Sequence, residues 1–436
     1  MNAYSETLTY LYGLQQRGMK LGLRNVRALL AGIGNPEQRF PTIHIAGTNG
    51  KGSTASFLAS IFMEAGYRTA LYTSPHLVRF TERIRINGKE ISERRLVEYA
   101  GALRPAIDRL HATFFEATTC IAFQYFADEG AEIGIIETGL GGRLDATNVL
   151  RPLVSLITNI SIEHREYLGN TVRQIAAEKG GIIKPGVPAV SGSAQPDALR
   201  VLAGIARRRK ARLFLSEDLV SSKAGHAEAG ADILSFESRH VATGPFRLGL
   251  TGSHQHLNAR LVVAAIDVLH RQGVLKRAFP RVTSRAVRAG LERVVRNTGL
   301  RGRLERAGRG GKVIFDVAHN PEGMRATIAA LQEKYGGSFV AVFGVLQDKE
   351  AEPMLLELGR VASLVIAVTP DTPRARAAAS VASMGKALGL PVRRASSVAS
   401  GMRLAMKPPR ATGRVLVTGS HYVVGEAMEW LKRKRA

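Results

Sequence analysis

The stretch Pro41–Phe57, PTIHIAGTNGKGSTASF, limits the possible folds of this chain more than any other. Thr42 to Ala46 is a short apolar run bounded by proline and glycine, the pattern of a buried parallel strand. A glycine-rich turn follows, and Thr54 to Glu64 then places Phe57, Leu58, Ile61 and Phe62 at helical spacing. Strand, glycine turn and helix in that order begin a parallel sheet covered by helices. The alternation continues through the apolar strands TALYT (Thr69 to Thr73), EIGIIE (Glu132 to Glu137) and LVSLIT (Leu153 to Thr158). Helical stretches from Phe115 to Asp128 and from Val172 to Ile183 lie among them, and about Ser5 to Leu30 reads as helix. The fold class is α/β.

From about Pro196 to Pro245 the periodicity loosens into short strands or an insertion, and an amphipathic helix follows from about Gln255 to His270. RNTGLRGRLERAGRGGK (Arg296 to Lys312) is rich in Gly and Arg, as a linker or hinge would be, with Gly299 to Arg303 the expected pivot. A second strand–helix series then runs through KVIFDVA, SFVAVFG, SLVIAVTP and RVLVTGS. At 436 residues the chain exceeds what one core organises, so two domains are expected, residues 1–296 and 297–436.

A single cysteine, Cys120, excludes an intramolecular disulfide framework and a cysteine-cluster zinc site, and suits a reducing cytoplasm. The opening MNAYSETLTY has no secretory pattern, and no apolar run reaches bilayer length, so no membrane association is expected. The net charge of +25 raises the prospect of nucleic-acid binding, with ARRRKAR (Ala206 to Arg212) as a local basic run. The arginines are nevertheless spread along the whole chain without an aromatic-interleaved basic motif, so no nucleic-acid partner is expected.

The glycine turn has the setting of a phosphate loop but not the commonest spacing, because only Thr48 and Asn49 separate Gly47 from Gly50. Its backbone N–H groups can converge on phosphate oxygens, Lys51 supplies a point charge, and Ser53 or Thr54 can face Mg²⁺. Glu137 ends an apolar strand, where a carboxylate emerges on the usual ligand side of a parallel sheet, and TGLGGRLDATN (Thr138 to Asn148) follows with Arg143 and Asp145. ITNISIEHREYLG (Ile157 to Gly169) repeats the arrangement with Asn159 and His164. Hard oxygen donors at such strand ends are what magnesium takes.

Together these stretches resemble the folylpolyglutamate synthase and dihydrofolate synthase family of the Mur ligase superfamily. The likeness begins at RGMKLGLRNVRALLAGIGNP and takes in IHIAGTNGKGSTASF, LYTSPHLVRFTERIRING, TFFEATT, ETGLGGRLDATN, ITNISIEH and AAEKGGIIKPG. It resumes at HQHLNA, GRLE, DVAHNP and GSHYVVGE. The resemblance implies a Mur-type P-loop ATP-binding domain with a mostly parallel sheet, plus a smaller Rossmann-like C-terminal domain. It implies ATP held by Thr48, Asn49, Gly50, Lys51, Gly52, Ser53 and Thr54, with Asn258, Arg303 and Asp316 as further ATP contacts. Ser74, Glu137 and His164 match the family's Mg²⁺ ligands, and Lys179 matches a lysine that is carboxylated in the family to help hold a second magnesium. Asp316 and His319 match residues that the second domain brings to the reaction, so the implied catalytic set is Lys51, Lys179, Asp316 and His319. Thr113, Phe114, Phe115, Leu144, Asp145 and Ala146 match a pteroate pocket.

The implied activity is ATP-dependent ligation of L-glutamate to dihydropteroate and to reduced folates through an acyl phosphate, by a monomer. A folylpolyglutamate synthase alone, another Mur-type amino-acid ligase, and a nucleic-acid-stimulated P-loop ATPase are the alternatives. The chain departs from the family's usual residues at Glu163 (aspartate), Arg165 (threonine), Gly180 (alanine), Val317 (glycine) and His421 (leucine).

Overall fold

The computed structural model describes residues 2–18, 20, 22–226, 232–407 and 413–434. Within the resembling opening RGMKLGL, Met19 and Leu21 therefore lie outside the described residues. The chain forms two compact units, one of residues 1–75, 80–249 and 255–300, the other of residues 76–79, 250–254 and 301–436.

Strands β1 (Thr42–Ala46), β2 (Thr69–Tyr72), β3 (Ile84–Ile86), β4 (Lys89–Glu90), β5 (Ile133–Glu137), β6 (Val154–Ile157), β7 (Ala189–Ser191) and β8 (Leu213–Leu215) make the main sheet of the first unit. Their order is β4-β3-β2-β5-β1-β6-β7-β8. It is parallel from β2 to β8, with β3 and β4 turning back as an antiparallel edge. The register pairs Ile45 with Glu137 and Ala46 with Ile157, so the ends of β5, β1 and β6 lie side by side. That adjacency places Glu137, the glycine turn and Thr158 in one neighbourhood. The helix Phe114–Asp128 joins Tyr72 and Ile136 in an apolar core through Ile121 and Phe123. The helix Lys51–Glu64 packs on β1, β2 and β5.

The structure corrects two readings. The Ser5 to Leu30 helix is two helices, Ala3–Gly13 and Arg24–Gly32, because Gly18 takes a positive φ of 69° after a 3₁₀ turn at Leu14–Arg17. The segment that loosens at Pro196 begins instead with a helix, Pro196–Arg208, before β8. Proline suits its first turn, and Ala198, Val201, Leu202, Ile205 and Ala206 form an apolar stripe at helical spacing, opposite the exposed Arg200, Arg207 and Arg208. Beyond β8, β9 (Ser221–His226) and β10 (Asp232–Glu237) pair as an antiparallel ribbon.

The second unit carries β11 (Glu305–Ala307), β12 (Val313–Phe315), β13 (Phe339–Phe343), β14 (Ala362–Ala367), β15 (Val392–Arg394) and β16 (Arg414–Thr418) in the order β11-β12-β16-β13-β14-β15. All neighbours are parallel except β11 with β12. Strand β13 shows why both faces are covered. Phe339, Ala341 and Phe343 enter one core with Met324, Ile328 and Leu355, while Val340 and Val342 enter another with Val398, Met402 and Val424. Among the described residues no helix is long and apolar enough to cross a membrane.

Candidate functional site

The turn after β1 is built around two glycines that no other residue could replace without moving its neighbours. Gly47 has φ of 153°, and a Cβ there would lie 1.8 Å from Thr158 Oγ1. Gly50 has φ of 85°, and its Cβ would lie 2.3 Å from Asn258 Oδ1. The residues after β6 brace the turn from one side. Thr48 N–H donates to the Asn159 carbonyl (2.9 Å) and Asn49 N–H to Asn159 Oδ1 (2.6 Å), while Thr158 Oγ1 donates to the Asn49 carbonyl (2.6 Å). The backbone donors of Thr48 and Asn49 are thus spent on holding the turn's shape. Lys51, Gly52 and Ser53 supply the N–H groups that precede the first helical bond, from Thr54 N–H to the Gly50 carbonyl. Lys51 Nζ donates to the carbonyls of Gly47 (2.9 Å) and Thr48 (3.0 Å).

Glu137 is buried at the end of β5, and its Oε2 accepts from Ser74 N–H at 3.1 Å, joining two of the expected metal ligands. The hydroxyls of Thr54 and Thr138 are buried without a hydrogen-bond partner. Orphaned hydroxyls on the first turn of the loop helix and directly after Glu137 fit a hard cation and phosphate oxygens. His164 has φ of 45° and ψ of 47°, a left-handed conformation that costs a histidine about 1–3 kcal/mol unless its surroundings impose it. It follows the segment anchored to the loop by Asn159 and by Ser161, whose N–H donates to Thr48 Oγ1 at 3.1 Å. Among the described residues no three His, Cys, Asp or Glu side chains converge as a metal cluster.

Lys179, fully buried at the end of the helix Val172–Lys179, bonds Glu163 Oε1 at 2.6 Å and the Gly47 carbonyl at 2.8 Å. Burial pulls the amine down to about 8, aided by Lys51 and opposed by Glu163. Burial would raise Glu163, but the charges of Lys179, Lys51 and His164 outweigh it and hold the carboxyl well below its usual range. Asn258 lies against Gly50 and donates to Gln255 Oε1 at 3.0 Å.

The expected pteroate residues gather in the first unit. Thr113 caps the helix Phe114–Asp128 through a capping box with Glu116, so its hydroxyl is occupied. Phe114 stacks on Tyr12 at 5.9 Å and meets Phe80 edge-on at 6.0 Å, with the Arg83 guanidinium 5.3 Å from its ring centre. Tyr12, Phe80 and Arg83 are not apparent from the sequence, because only the folded chain brings them to Phe114. Phe115 packs on Gly139, where a Cβ would come within 2.5 Å of the ring. Asp145 Oδ2 accepts from the N–H groups of Gly139 and Leu140 (both 2.9 Å), and Oδ1 from Thr147 N–H (3.0 Å) and Thr147 Oγ1 (2.5 Å). All four acceptor positions of the carboxylate are filled within the loop, which makes Asp145 a brace of that loop. Leu144 and Ala146 flank it in the same loop.

In the second unit, Asp316 Oδ2 accepts from Leu304 N–H at 3.0 Å, and Oδ1 from Ala318 N–H (3.0 Å) and Thr327 Oγ1 (2.8 Å). It thereby fixes the residues next to Arg303 and His319. The Val317 carbonyl, 2.9 Å from His319 Nδ1, only accepts, so Nδ1 carries the proton. The His421 ring lies 5.2 Å from the His319 ring.

Residues 45–266 match the Mur ligase middle domain, and residues 302–421 match the Mur ligase, glutamate ligase domain. The chain is 35% identical over 381 residues to the dihydrofolate synthase/folylpolyglutamate synthase of Bacillus subtilis, covering 86% of each chain. The chain belongs to the dihydrofolate synthase/folylpolyglutamate synthase family. The Escherichia coli member is 32% identical over 434 residues, with 98% of this chain and 96% of that one covered. Among solved structures, the Mycobacterium tuberculosis folylpolyglutamate synthase complexed with ADP superposes with a TM-score of 0.88 at 31% identity, covering 99% of each chain. The Yersinia pestis bifunctional folylpolyglutamate synthase/dihydrofolate synthase complexed with AMPPNP and Mn ion gives 0.83 at 28% identity, covering 98% of each. Two departures from the family's usual residues have local explanations. A Cβ on Gly180 would come within 2.7 Å of Ile205 and 2.9 Å of Leu202, so glycine admits the helix Pro196–Arg208. Val317 is buried in the second unit's apolar core.

Proposed function

We propose that this chain is an ATP-dependent ligase that adds L-glutamate to dihydropteroate and to reduced folates. The observation that carries the reading is the short-spaced glycine turn set beside Glu137, with unpartnered hydroxyls on Thr54 and Thr138. A carboxylate is a poor electrophile because its oxygen does not leave. The substrate carboxylate attacks the γ-phosphorus of ATP, ADP departs, and the resulting acyl phosphate carries a competent leaving group. The amine of L-glutamate then attacks the acyl carbon, and phosphate leaves from the tetrahedral adduct. Lys51 and the helix N-terminus it opens stabilise charge on the transferring phosphoryl group by position alone. Ser74, Glu137 and His164, with the hydroxyl of Ser53 or Thr54, would hold Mg²⁺, which when bound neutralises phosphate charge. Arg303 and Asn258 bind the nucleotide, and His319 takes the proton released by the incoming ammonium.

In the same reading Lys179 is the residue open to carboxylation, and the enzyme works as a cytoplasmic monomer without nucleic acid or membrane. Phosphate release and product mass are the test, with dihydropteroate plus glutamate, with a reduced folate plus glutamate, and with RNA or DNA. Glutamate-dependent release with both pteridines is expected, each product gaining one glutamyl residue. Release driven only by polynucleotide would overturn the proposal.

A further inference from the structure

His44 is the one polar side chain of β1 placed at the centre of the strand, and it is wholly buried. Its Nε2 lies 2.8 Å from Thr147 Oγ1. The hydroxyl has one hydrogen, and that hydrogen is given to Asp145 Oδ1 at 2.5 Å, so Nε2 must be the donor to Thr147. Asp145 in turn fixes the N–H groups of Gly139 and Leu140, and Gly139 is the seat of the Phe115 ring. A continuous line thus runs from the middle of the strand that ends in the phosphate loop to the aromatic wall of the pteridine pocket. The other ring nitrogen, Nδ1, is buried without a partner. An apolar residue would fill that site without stranding a polar atom, so what the histidine adds there is the donation from its Nε2.

We propose that His44 is a positioning residue for the pteridine acceptor, holding the Gly139–Thr147 loop against Phe115 through Thr147 and Asp145. The inference rests on the ligase reading given above.

The test is steady-state kinetics of the full-length enzyme with dihydropteroate, ATP and glutamate each varied, alongside thermal unfolding. His44→Leu should raise KM for dihydropteroate about tenfold and leave KM for ATP within about twofold. His44→Gln, whose amide nitrogen can still donate to Thr147, should recover most of the loss, and Thr147→Val should reproduce it. The double variant His44→Leu with Thr147→Val should lose no more than the worse single variant, because both cut the same line. An unchanged dihydropteroate KM in both His44→Leu and Thr147→Val would overturn the inference. So would equal rises in both KM values with no recovery in His44→Gln, which would mark a merely structural role. A wild-type enzyme silent with every pteridine would overturn the ligase reading and this inference with it, whereas an active wild type with unaffected variants overturns this inference alone.

Discussion

Lys51 folds back over its own loop, bonding the carbonyls of Gly47 and Thr48, and in the proposed reading this charge meets the phosphate oxygens. Lys51→Ala should lower kcat for glutamate-dependent phosphate release by about 10²–10³, the loss seen when one preorganised charge donor is removed. Retained release in that variant would mean the phosphates lie elsewhere. His44 makes a second, thermodynamic prediction. Burial, with Lys184 adding to it, pulls its imidazole down to about 3 from 6.5. The folded state therefore binds fewer protons than the unfolded one between those values, and stability falls as pH drops below 6.5. The full contribution is about 1.4 kcal/mol per pH unit. Urea unfolding from pH 6.5 to 4 should show a shallower acid slope in His44→Leu than in wild type; equal slopes would place the acid sensitivity in other groups. Lys51 and Glu137 were legible because each stands at a punctuation point, a glycine turn or a strand end. His44 was not, because its partner lies 103 residues away and an apolar strand disguises it.

The helix Lys51–Glu64, which carries the phosphate loop, leans on the helix Ser284–Glu292 so closely that Gly290 leaves no room for a methyl. A Cβ there would lie 2.5 Å from Ile61 Cα and 2.6 Å from its nitrogen, and Ser60 Oγ donates to the Gly290 carbonyl at 2.7 Å. Two effects compete in Gly290→Ala. Helix propensity favours alanine by about 1 kcal/mol, while forcing two backbones apart costs about 1–3 kcal/mol and strains the Ser60 bond. Crowding should win, lowering the urea midpoint. Gly180→Ala meets only the flexible ends of Ile205 and Leu202, so its loss should be smaller. A Gly290→Ala protein as stable as wild type would show that this helix pair can slide. At this scale the strands were readable from β-branched runs; the helix Pro196–Arg208 also carries a helical period in Ala198, Val201, Leu202, Ile205 and Ala206, but it stands ahead of short irregular strands that blur the pattern. The capping box at Thr113 did carry a signal, threonine with glutamate three residues on ahead of an apolar run.

For the molecule as a whole, the net charge of +25 is the feature that neither sheet explains. Among the described residues, pairs such as Arg173–Asp197 and Arg433–Glu429 have both partners exposed, and exposed pairs add little stability. The excess charge acts instead on what approaches. In the proposed reaction every substrate is an anion, and a folate gains carboxylates with each glutamate added. A cationic surface raises encounter rates with anions, and salt screens the attraction over a Debye length of about 10 Å at 0.1 M. The ionic-strength dependence of kcat/KM should therefore steepen with the acceptor's charge. Between about 50 and 300 mM KCl, we expect kcat/KM to fall about threefold to tenfold for a triglutamyl folate, less for the monoglutamate, and kcat to move little for either. Screening weakens encounter and leaves the chemistry inside the site alone, so the change must appear in kcat/KM. Equal slopes for the two acceptors would mean that the charge does not steer the acceptor at all.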